Sequence, residues 1–597
     1  MLLRLLRTPR LANRLSNQIA VYTSRRAIMS VEDVGLGLKR PLSPGVGGGC
    51  NENVKAIEKN GTKDVSGSPA PKKPRNSNKK KRKYNNKEQE PTSPFGVLKF
   101  EIEEIIAENG LGLEQIANPM TAILNDVEIK AIYNRVVSGV KLLRYASNGD
   151  CIALIPSPEK AVNPEQTHQI VLVPFGIPGE TCKINIHKSH PSYCESDLLE
   201  IEKESPLRDN SLIKCKYFGA CSGCQYQAVS YDQQLEFKRQ TVINAYRFFA
   251  RQLHEQKRLP EIGQTVGSPL EYGYRTKLTP HFDMPRAGLK PGATRPNLGF
   301  GMKGRPTWRK IPDMNPGAIM DIEECVIGTP IINVGMRNER RNFENNYTKY
   351  KKGATFLLRE NTRTENDPLE DGSVDPSGEI SILKEENVTY GEVLKTCVTN
   401  NGQIVKEVVE GYQFEFVANE FFQNNNSILT KILGHVRESL QLDHKSENYL
   451  IDAYCGSGLF SVTSASSVER VVGVEISEES VRFAKRNAEL NGVENASFIQ
   501  GKAEKIFQGI DLPHDKTSII LDPPRKGCDE IFLKQLADFN PKRVIYISCN
   551  VHSQARDLEY FLTQTENGAK FRVDSIKGFD FFPQTHHVEG VAVLSRK

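Results

Sequence analysis

From Phe416 to the last residue the chain repeats one pattern: a short apolar run, a turn marked by glycine or proline, an amphipathic run at helical spacing, and another apolar run. Strands that read as continuous apolar runs are covered on both faces. Alternated with helices they build a parallel sheet. Residues 416–597 are therefore expected to form a doubly wound, Rossmann-like α/β sheet. Such sheets bind ligands beyond the carboxyl ends of their strands, so the residues that close each apolar run carry the chemistry.

The first run, NYLIDAYCGSGLFSV (448–462), is an apolar strand that ends in Asp452 and opens into Gly456-Ser457-Gly458. Glycines there let a ligand approach the backbone. The next run, RVVGVEIS, ends in Glu475, which is placed to accept both hydroxyls of an adenosine ribose. A nicotinamide-binding unit would share these parts, but the loop lacks the third glycine of GxGxxG. EESVRFAKRNAELNG is an amphipathic helix stopped by Asn491-Gly492. TSIILDPPRKG ends in Asp522-Pro523-Pro524-Arg525, where two prolines fix a turn that projects Asp522 and Arg525 into the mouth of the site. KRVIYISCN (542–550) brings Ser548-Cys549-Asn550 to the same edge. An isolated cysteine at a strand tip is more often a packed small hydrophobe than a nucleophile. Here it is followed by a helix, VHSQARDLEYFL, and then by FDFFPQTHHVEG with Glu589.

Together ANEFFQNNN, YCGSG, DPPR, SCN and FPQTHHVE resemble the motifs of the RNA uracil-C5 methyltransferase family over Phe422 to Lys597. The resemblance extends to the family's eukaryotic tRNA branch. It implies S-adenosylmethionine as methyl donor, held by Gln423, Tyr454, Glu475 and Asp522, with Arg525 toward the substrate. It also implies Cys549 as nucleophile and Glu589 as base. Carbon 5 of uracil is a poor nucleophile, so a thiolate must first add to carbon 6 and make an enolate. A base must then take the hydrogen from carbon 5 before the thiol can leave. Cytosine methylation by cysteine is the nearest rival, but no Pro-Cys motif occurs. Where relatives often carry an acid for the adenine amine, FIQGKAEK offers Lys502, with Glu504 as the substitute.

Upstream, CKYFGACSGCQYQ sets Cys215, Cys221 and Cys224 on one loop, with Cys325 about a hundred residues on. Three thiolates and a distant fourth suit zinc or an iron-sulfur cluster, and spacing does not choose between them. Simple buried thiols are the plain alternative. Ribosomal members of the family hold a [4Fe-4S] cluster in such a pattern, so the resemblance implies one here. Ser222, in place of a glycine, departs from it. Twelve cysteines without a secretory leader do not suggest a disulfide scaffold.

Residues 209–415 read as an α+β domain that carries this cluster. Residues 137–208 hold the runs VKLLRY, DCIALIP, HQIVLVP and ETCKINIHK between Asn-Gly and Pro-Gly turns, and read as a small β-barrel. By resemblance that barrel is an OB-like TRAM module, suited to unpaired RNA bases. Residues 1–30 hold six arginines and no acid, which reads as a mitochondrial presequence. Residues 31–94 read as a disordered basic tail, whose PKKPRNSNKKKRK is a nuclear import signal, an RNA tether or a solvated charge run. Residues 1–90 carry 20 Lys and Arg against 7 Asp and Glu, a net +13. The whole chain is only +6, so the remainder is −7 and any RNA site on it is a local patch.

The expected substrate is thus uridine 54 in the T loop of tRNA, flipped out of its stack to meet Cys549. A ribosomal RNA uridine is the alternative that the cysteine pattern favours, and a noncatalytic tRNA chaperone is the alternative from another class. A monomer without a membrane span, in nucleus and cytoplasm or mitochondrion, is expected.

Overall fold

Where two apolar residues in a row are both buried, both faces of a strand are covered, and this happens along most of the C-terminal sheet. The computed structural model describes residues 90–597, apart from 286–287, 290–291, 312–317, 365–381, 441–446, 502–505 and 508. The presequence, nearly all of the basic tail, and Lys502 and Glu504 lie outside the described residues.

Helix α1 (Pro94–Glu108) begins with Ser93 as cap, its side chain accepting from Gly96 N, and with proline in the first turn. Its buried Leu98, Ile102 and Ile105 pack on a six-stranded sheet through Ile152, Ile170 and Leu172. The strands are β1 (Val136–Lys141), β2 (Arg144–Tyr145), β3 (Cys151–Pro156), β4 (His168–Val173), β5 (Thr181–Ser189) and β6 (Cys194–Lys203), in the order β1-β5-β6-β4-β3-β2. The run VKLLRY does not make one strand. It breaks at Leu142-Leu143, where Leu142 N turns to Glu180 O and Leu143 N to Ile152 O (both 2.9 Å), so the chain changes partner from β5 to β3.

Two four-stranded antiparallel sheets and a hairpin (Ile404–Val409, Tyr412–Val417) fill the middle of the chain. Helix α2 (Tyr231–Phe249) stops at Ala250 and resumes as Arg251–Glu255. It lies against the last sheet, sharing a core with it through Val242, Ala245 and Tyr246. Ile262 and Val266 add parallel bridges to Ile576 and Phe579 at that sheet's edge.

The last sheet consists of β7 (Tyr449–Ala453), β8 (Arg470–Glu475), β9 (Ala496–Gln500), β10 (Thr517–Leu521), β11 (Arg543–Ser548), β12 (Phe571–Phe579) and β13 (Glu589–Arg596). Its order is β9-β8-β7-β10-β11-β13-β12, with β7 to β11 parallel and β13 antiparallel to both neighbours. This is the doubly wound α/β arrangement the sequence pattern demands. Leu450, Ile520, Ile545 and Ile547 point into one core. Ile451, Ala453, Ile519, Leu521, Val544 and Tyr546 point into the other. Each buried Leu, Ile or Val among them contributes about 1.5–3 kcal/mol, which is why the runs carry few polar residues before their ends. Among the described residues no helix is long and apolar enough to cross a membrane.

Candidate active site

Strand β7 ends at Ala453, and the next residue, Tyr454, takes the left-handed φ of 64°. Gly456 (φ 55°) and Gly458 (φ 91°) continue the turn. A Cβ on Gly458 would meet Ala484 at 3.3 Å, whereas one on Gly456 would have no atom within 4 Å. The first glycine thus borders open space and the second a packed helix, α3 (Glu478–Leu490). Glu475, at the tip of β8, accepts from Gly456 N (3.2 Å), Ile476 N (2.8 Å) and Ser477 N (3.0 Å). Its carboxylate is therefore fixed against the glycine turn before any ligand arrives.

Asp452 is fully buried. One oxygen accepts from Ser461 Oγ (2.6 Å), while the other has no partner among the described residues. Burial, then the charge of Glu475, pushes its pKa up to about 7. Asp522 follows β10 and is likewise held at about 7 by burial and by Asp452. Three carboxyl groups, Glu475, Asp452 and Asp522, thus stand at or just past the ends of the adjacent strands β8, β7 and β10. Gln423 is buried at 8% exposure. Phe422 beside it packs in the same core as Cys455 and Leu459 of the glycine turn, and Asn425 Nδ2 donates to Phe581 O (3.1 Å).

Cys549 and Glu589 meet across the antiparallel pair β11–β13. The register sets Ser548 opposite Gly590, so the cysteine just past one strand and the glutamate that opens the other share one end. Cys549 is exposed as a residue, yet desolvation of its thiol, followed by the charges of Glu589 and Asp522, holds it at about 11 against the pull of Arg525. Glu589 is buried, and burial, with Asp522 adding and Arg525 opposing, raises it to about 8. The thiol and the carboxyl are both largely protonated at neutral pH, and Arg525 is the cation that favours their ionised forms.

Asn550 pins this corner. It caps α4 (Val551–Gln564), accepting from His552 N (3.2 Å). Its Nδ2 donates to Arg525 O (2.9 Å), Ser553 Oγ (2.8 Å) and Thr92 O (3.1 Å). Asp557 accepts from Cys528 N (2.7 Å) and Tyr546 Oη (2.6 Å), anchoring the far side of the Asp-Pro-Pro-Arg turn. The N-terminal segment closes over the same helix end: Glu90 pairs with Arg556 (3.3 Å), and Glu101 accepts from Ser147, whose Oγ lies 3.4 Å from His552 Nε2.

The loop between β12 and β13 carries Phe582 to Val588. Gln584 is buried in it with a left-handed φ of 70°. Asp580, at its start, forms a buried pair with Lys238 of α2 and accepts from Tyr231 Oη (3.1 Å). Gln225 and Tyr226, immediately after Cys224, bind the loop from the other side. Cys215, Cys221, Cys224 and Cys325 themselves line one cavity of about 320 Å³ with Arg275 and Phe300. Among the described residues, no three His, Cys, Asp or Glu side chains are grouped to hold a single metal ion.

The structure thus gathers Tyr454, Glu475, Asp522, Arg525, Cys549 and Glu589 along one sheet edge, and the four cysteines around another cavity. Asn550, Asp557, Lys238–Asp580 and the glutamines at 225, 234 and 584 had no assigned role in the sequence. Only the cap at Asn550 had a local signal, an asparagine, a preferred N-cap residue, just before the helical run VHSQ.

The family model for tRNA (uracil-5-)-methyltransferases matches residues 395–597. A tRNA (uracil(54)-C(5))-methyltransferase of Saccharomyces cerevisiae is 53% identical over 537 residues, covering 87% of this chain and 83% of the relative. Its namesake in Schizosaccharomyces pombe is 40% identical over 506 residues, covering 84% and 83%. Among solved structures, the Pyrococcus abyssi tRNA (uracil-54, C5)-methyltransferase in complex with S-adenosyl-L-homocysteine superposes with a TM-score of 0.50 at 23% identity, over 77% of this chain and 100% of that one. That last likeness is one of fold.

Proposed function

The chain belongs to the tRNA (uracil-5-)-methyltransferase family, and from that premise we propose that it methylates carbon 5 of uridine 54 in the T loop of tRNA. The observation that carries this reading is the register of β11 against β13, which brings Cys549 beside Glu589. S-adenosylmethionine is the co-substrate and supplies the sulfonium methyl group. The strand-end carboxyls of Asp452, Glu475 and Asp522 suit its positive charge and its ribose, with Tyr454 and Gln423 flanking them.

Cys549 loses its proton to solvent, and the thiolate bonds through sulfur to carbon 6 of the uracil, driving electrons toward carbon 5 and the 4-oxygen. Arg525 supplies positive charge near the new anion, and carbon 5 takes the methyl group from the sulfonium, whose sulfur–methyl bond breaks and leaves its electrons on sulfur as a neutral thioether. Glu589, ionised, then removes the proton on carbon 5; the electrons of that bond re-form the ring double bond and expel the sulfur as thiolate. The uridine must leave its stack to reach Cys549, at a cost of a few kcal/mol, and a loop nucleotide has less to lose. The six-stranded sheet of residues 136–203, read as a TRAM module, and its neighbour α1 frame the approach.

Cys215, Cys221, Cys224 and Cys325 would hold a [4Fe-4S] cluster. Four thiols around one cavity are the donor set such a cluster takes. Burial and the nearby thiols hold Cys221 near 12 and Cys325 near 11, so binding a cluster through these thiols would release protons. The cluster would serve as a cross-link between the 215–224 loop and Cys325, with no step in methyl transfer. Metal analysis of the purified protein distinguishes iron and sulfide from zinc or bare thiols.

The test of the reaction is tRNA containing 5-fluorouridine, incubated with S-adenosylmethionine and the enzyme. Fluorine cannot leave as a proton, so an adduct that survives a denaturing gel and maps to Cys549 is expected. Absence of any adduct with the wild-type protein overturns the mechanism. Retained methylation by a Cys549→Ala variant would do the same, whereas a tRNA chaperone would be indifferent to that change.

A further inference from the structure

The loop that carries Glu589 leaves the sheet after Phe579 and returns only at Glu589 itself, and besides its own turn bonds at Thr585 it is gripped from outside. Gln584 sits at a φ of 70°, a conformation an L side chain keeps only when its surroundings enforce it. Gln584 O accepts from Gln225 N (2.8 Å) and Tyr226 N (3.1 Å). Gln584 N donates to Gln234 Oε1 (3.1 Å), and Gln234 Nε2 donates to Gln584 Oε1 (3.1 Å). Tyr274 Oη donates to Pro583 O (3.0 Å).

One side chain in this set reaches two loops at once. Gln225 Nε2 donates to Ser222 O (3.0 Å), inside the turn between Cys221 and Cys224. Its Oε1 accepts from His586 N (3.2 Å), three residues before Glu589. The second face of the contact is closed by Gly149, where an added Cβ would stand 2.9 Å from His586 Cβ and 3.0 Å from Gln225 Cγ. The carboxamide therefore has little room to move, and both its ends are committed.

We propose that Gln225 is a positioning residue for Glu589: its amide ties the catalytic loop to the cysteine turn, so the shape of that turn sets where the base stands. This rests on the reading of Cys549 as nucleophile and Glu589 as base. The two steps of the reaction then separate the role from a merely structural one. Adduct formation makes the sulfur–carbon 6 bond and moves the methyl to carbon 5, and does not use Glu589. Release needs the carbon 5 proton to pass to Glu589 while the sulfur–carbon 6 bond breaks and its electrons return to sulfur. A displaced Glu589 slows release alone.

The experiment uses the full-length protein, tRNA and S-adenosylmethionine, with quenched samples run on denaturing gels. For Gln225→Ala, adduct formation is expected to stay within about twofold of wild type. Release should slow on the order of ten- to a hundredfold, as a misplaced catalytic group does, so methylated adduct accumulates. Gln225→Glu keeps the acceptor for His586 N but sets a repelling oxygen against Ser222 O. It should behave as the alanine variant does, because the tie to the cysteine turn is lost. Gln225→Asn, too short to span both loops, carries the same expectation if the alanine variant does not fold. Wild-type release in Gln225→Ala, or equal slowing of both steps, overturns the proposal. So does wild-type release in Gln225→Glu. Glu589→Gln is the control on the premise: if it releases its adduct at the wild-type rate, Glu589 is not the base, whatever Gln225 does.

Discussion

Replacing Glu589 by glutamine should make the protein more stable while it stops turnover, and the gain should depend on pH in a defined way. Glu589 is buried, and its pKa is raised from 4.5 to about 8, chiefly by burial. A carboxyl raised in this way holds its proton more tightly in the native protein than in the unfolded chain. Its cost is absent below pH 4.5, grows as the pH rises, and is complete once the pH passes about 8. At about 1.4 kcal/mol per pH unit, the difference between pH 5 and pH 9 is roughly 4 kcal/mol. Glutamine fills nearly the same volume and never ionises. Wild type and Glu589→Gln should therefore unfold almost alike in urea at pH 5, with the variant ahead by several kcal/mol at pH 9. The same titration predicts that release of the methylated adduct by wild type rises about tenfold between pH 6 and 7 and levels off near pH 9. Arg525→Ala should push that limb to higher pH, since its guanidinium favours the ionised carboxyl. A stability gain equal at both pH values would refute the reasoning, because a packing effect does not titrate.

Two further perturbations read the scaffold. Lys238→Met leaves Asp580 fully buried with only Tyr231 Oη and Phe582 N (both 3.1 Å) as partners, and should cost about 3–5 kcal/mol in denaturant unfolding; adding Asp580→Asn should recover most of it, and a single-variant loss under about 1 kcal/mol would contradict the assignment. Gly456→Ala strains a left-handed residue but meets no atom within 4 Å, so about 1 kcal/mol of stability should go while affinity for S-adenosylmethionine falls by roughly tenfold or more in equilibrium dialysis. Gly458→Ala, whose Cβ would press on Ala484, should show the opposite balance.

The sheet edge was legible because its strands are buried on both faces. An apolar run has to end where water or ligand begins, and Glu475, Asp522, Cys549 and Glu589 are the residues found at or next to those ends. The parts that hold them were not legible. Gln234 and Lys238 lie on one face of α2 with Val242 and Ala245, and all four are buried. Nothing local in the sequence marks the two polar members as buried, because their partners, Gln584 and Asp580, are more than 300 residues away. Strand β6 escaped notice for a related reason. Four acidic residues interrupt CESDLLEIEK, yet Asp197 is buried, accepting from Arg305 N (2.6 Å). Between 277 and 301 the sheets are built from pieces of two or three residues, too short for any alternation to register.

The bond from Asn550 to Thr92 O spans 458 positions in the chain. A ribosome adding about 5–20 residues per second takes from about twenty seconds to a minute and a half to cross that interval. Through all of it the segment at Glu90 to Ser93 has been made and its docking site has not. The contact beside the nucleophile thus cannot close until the chain has been made past Asn550, and it joins two segments near opposite ends of the described chain. Contacts of such sequence separation are slow to form. A nascent chain that has not yet reached Cys549 lacks both the cysteine and the cap that ties it to Thr92.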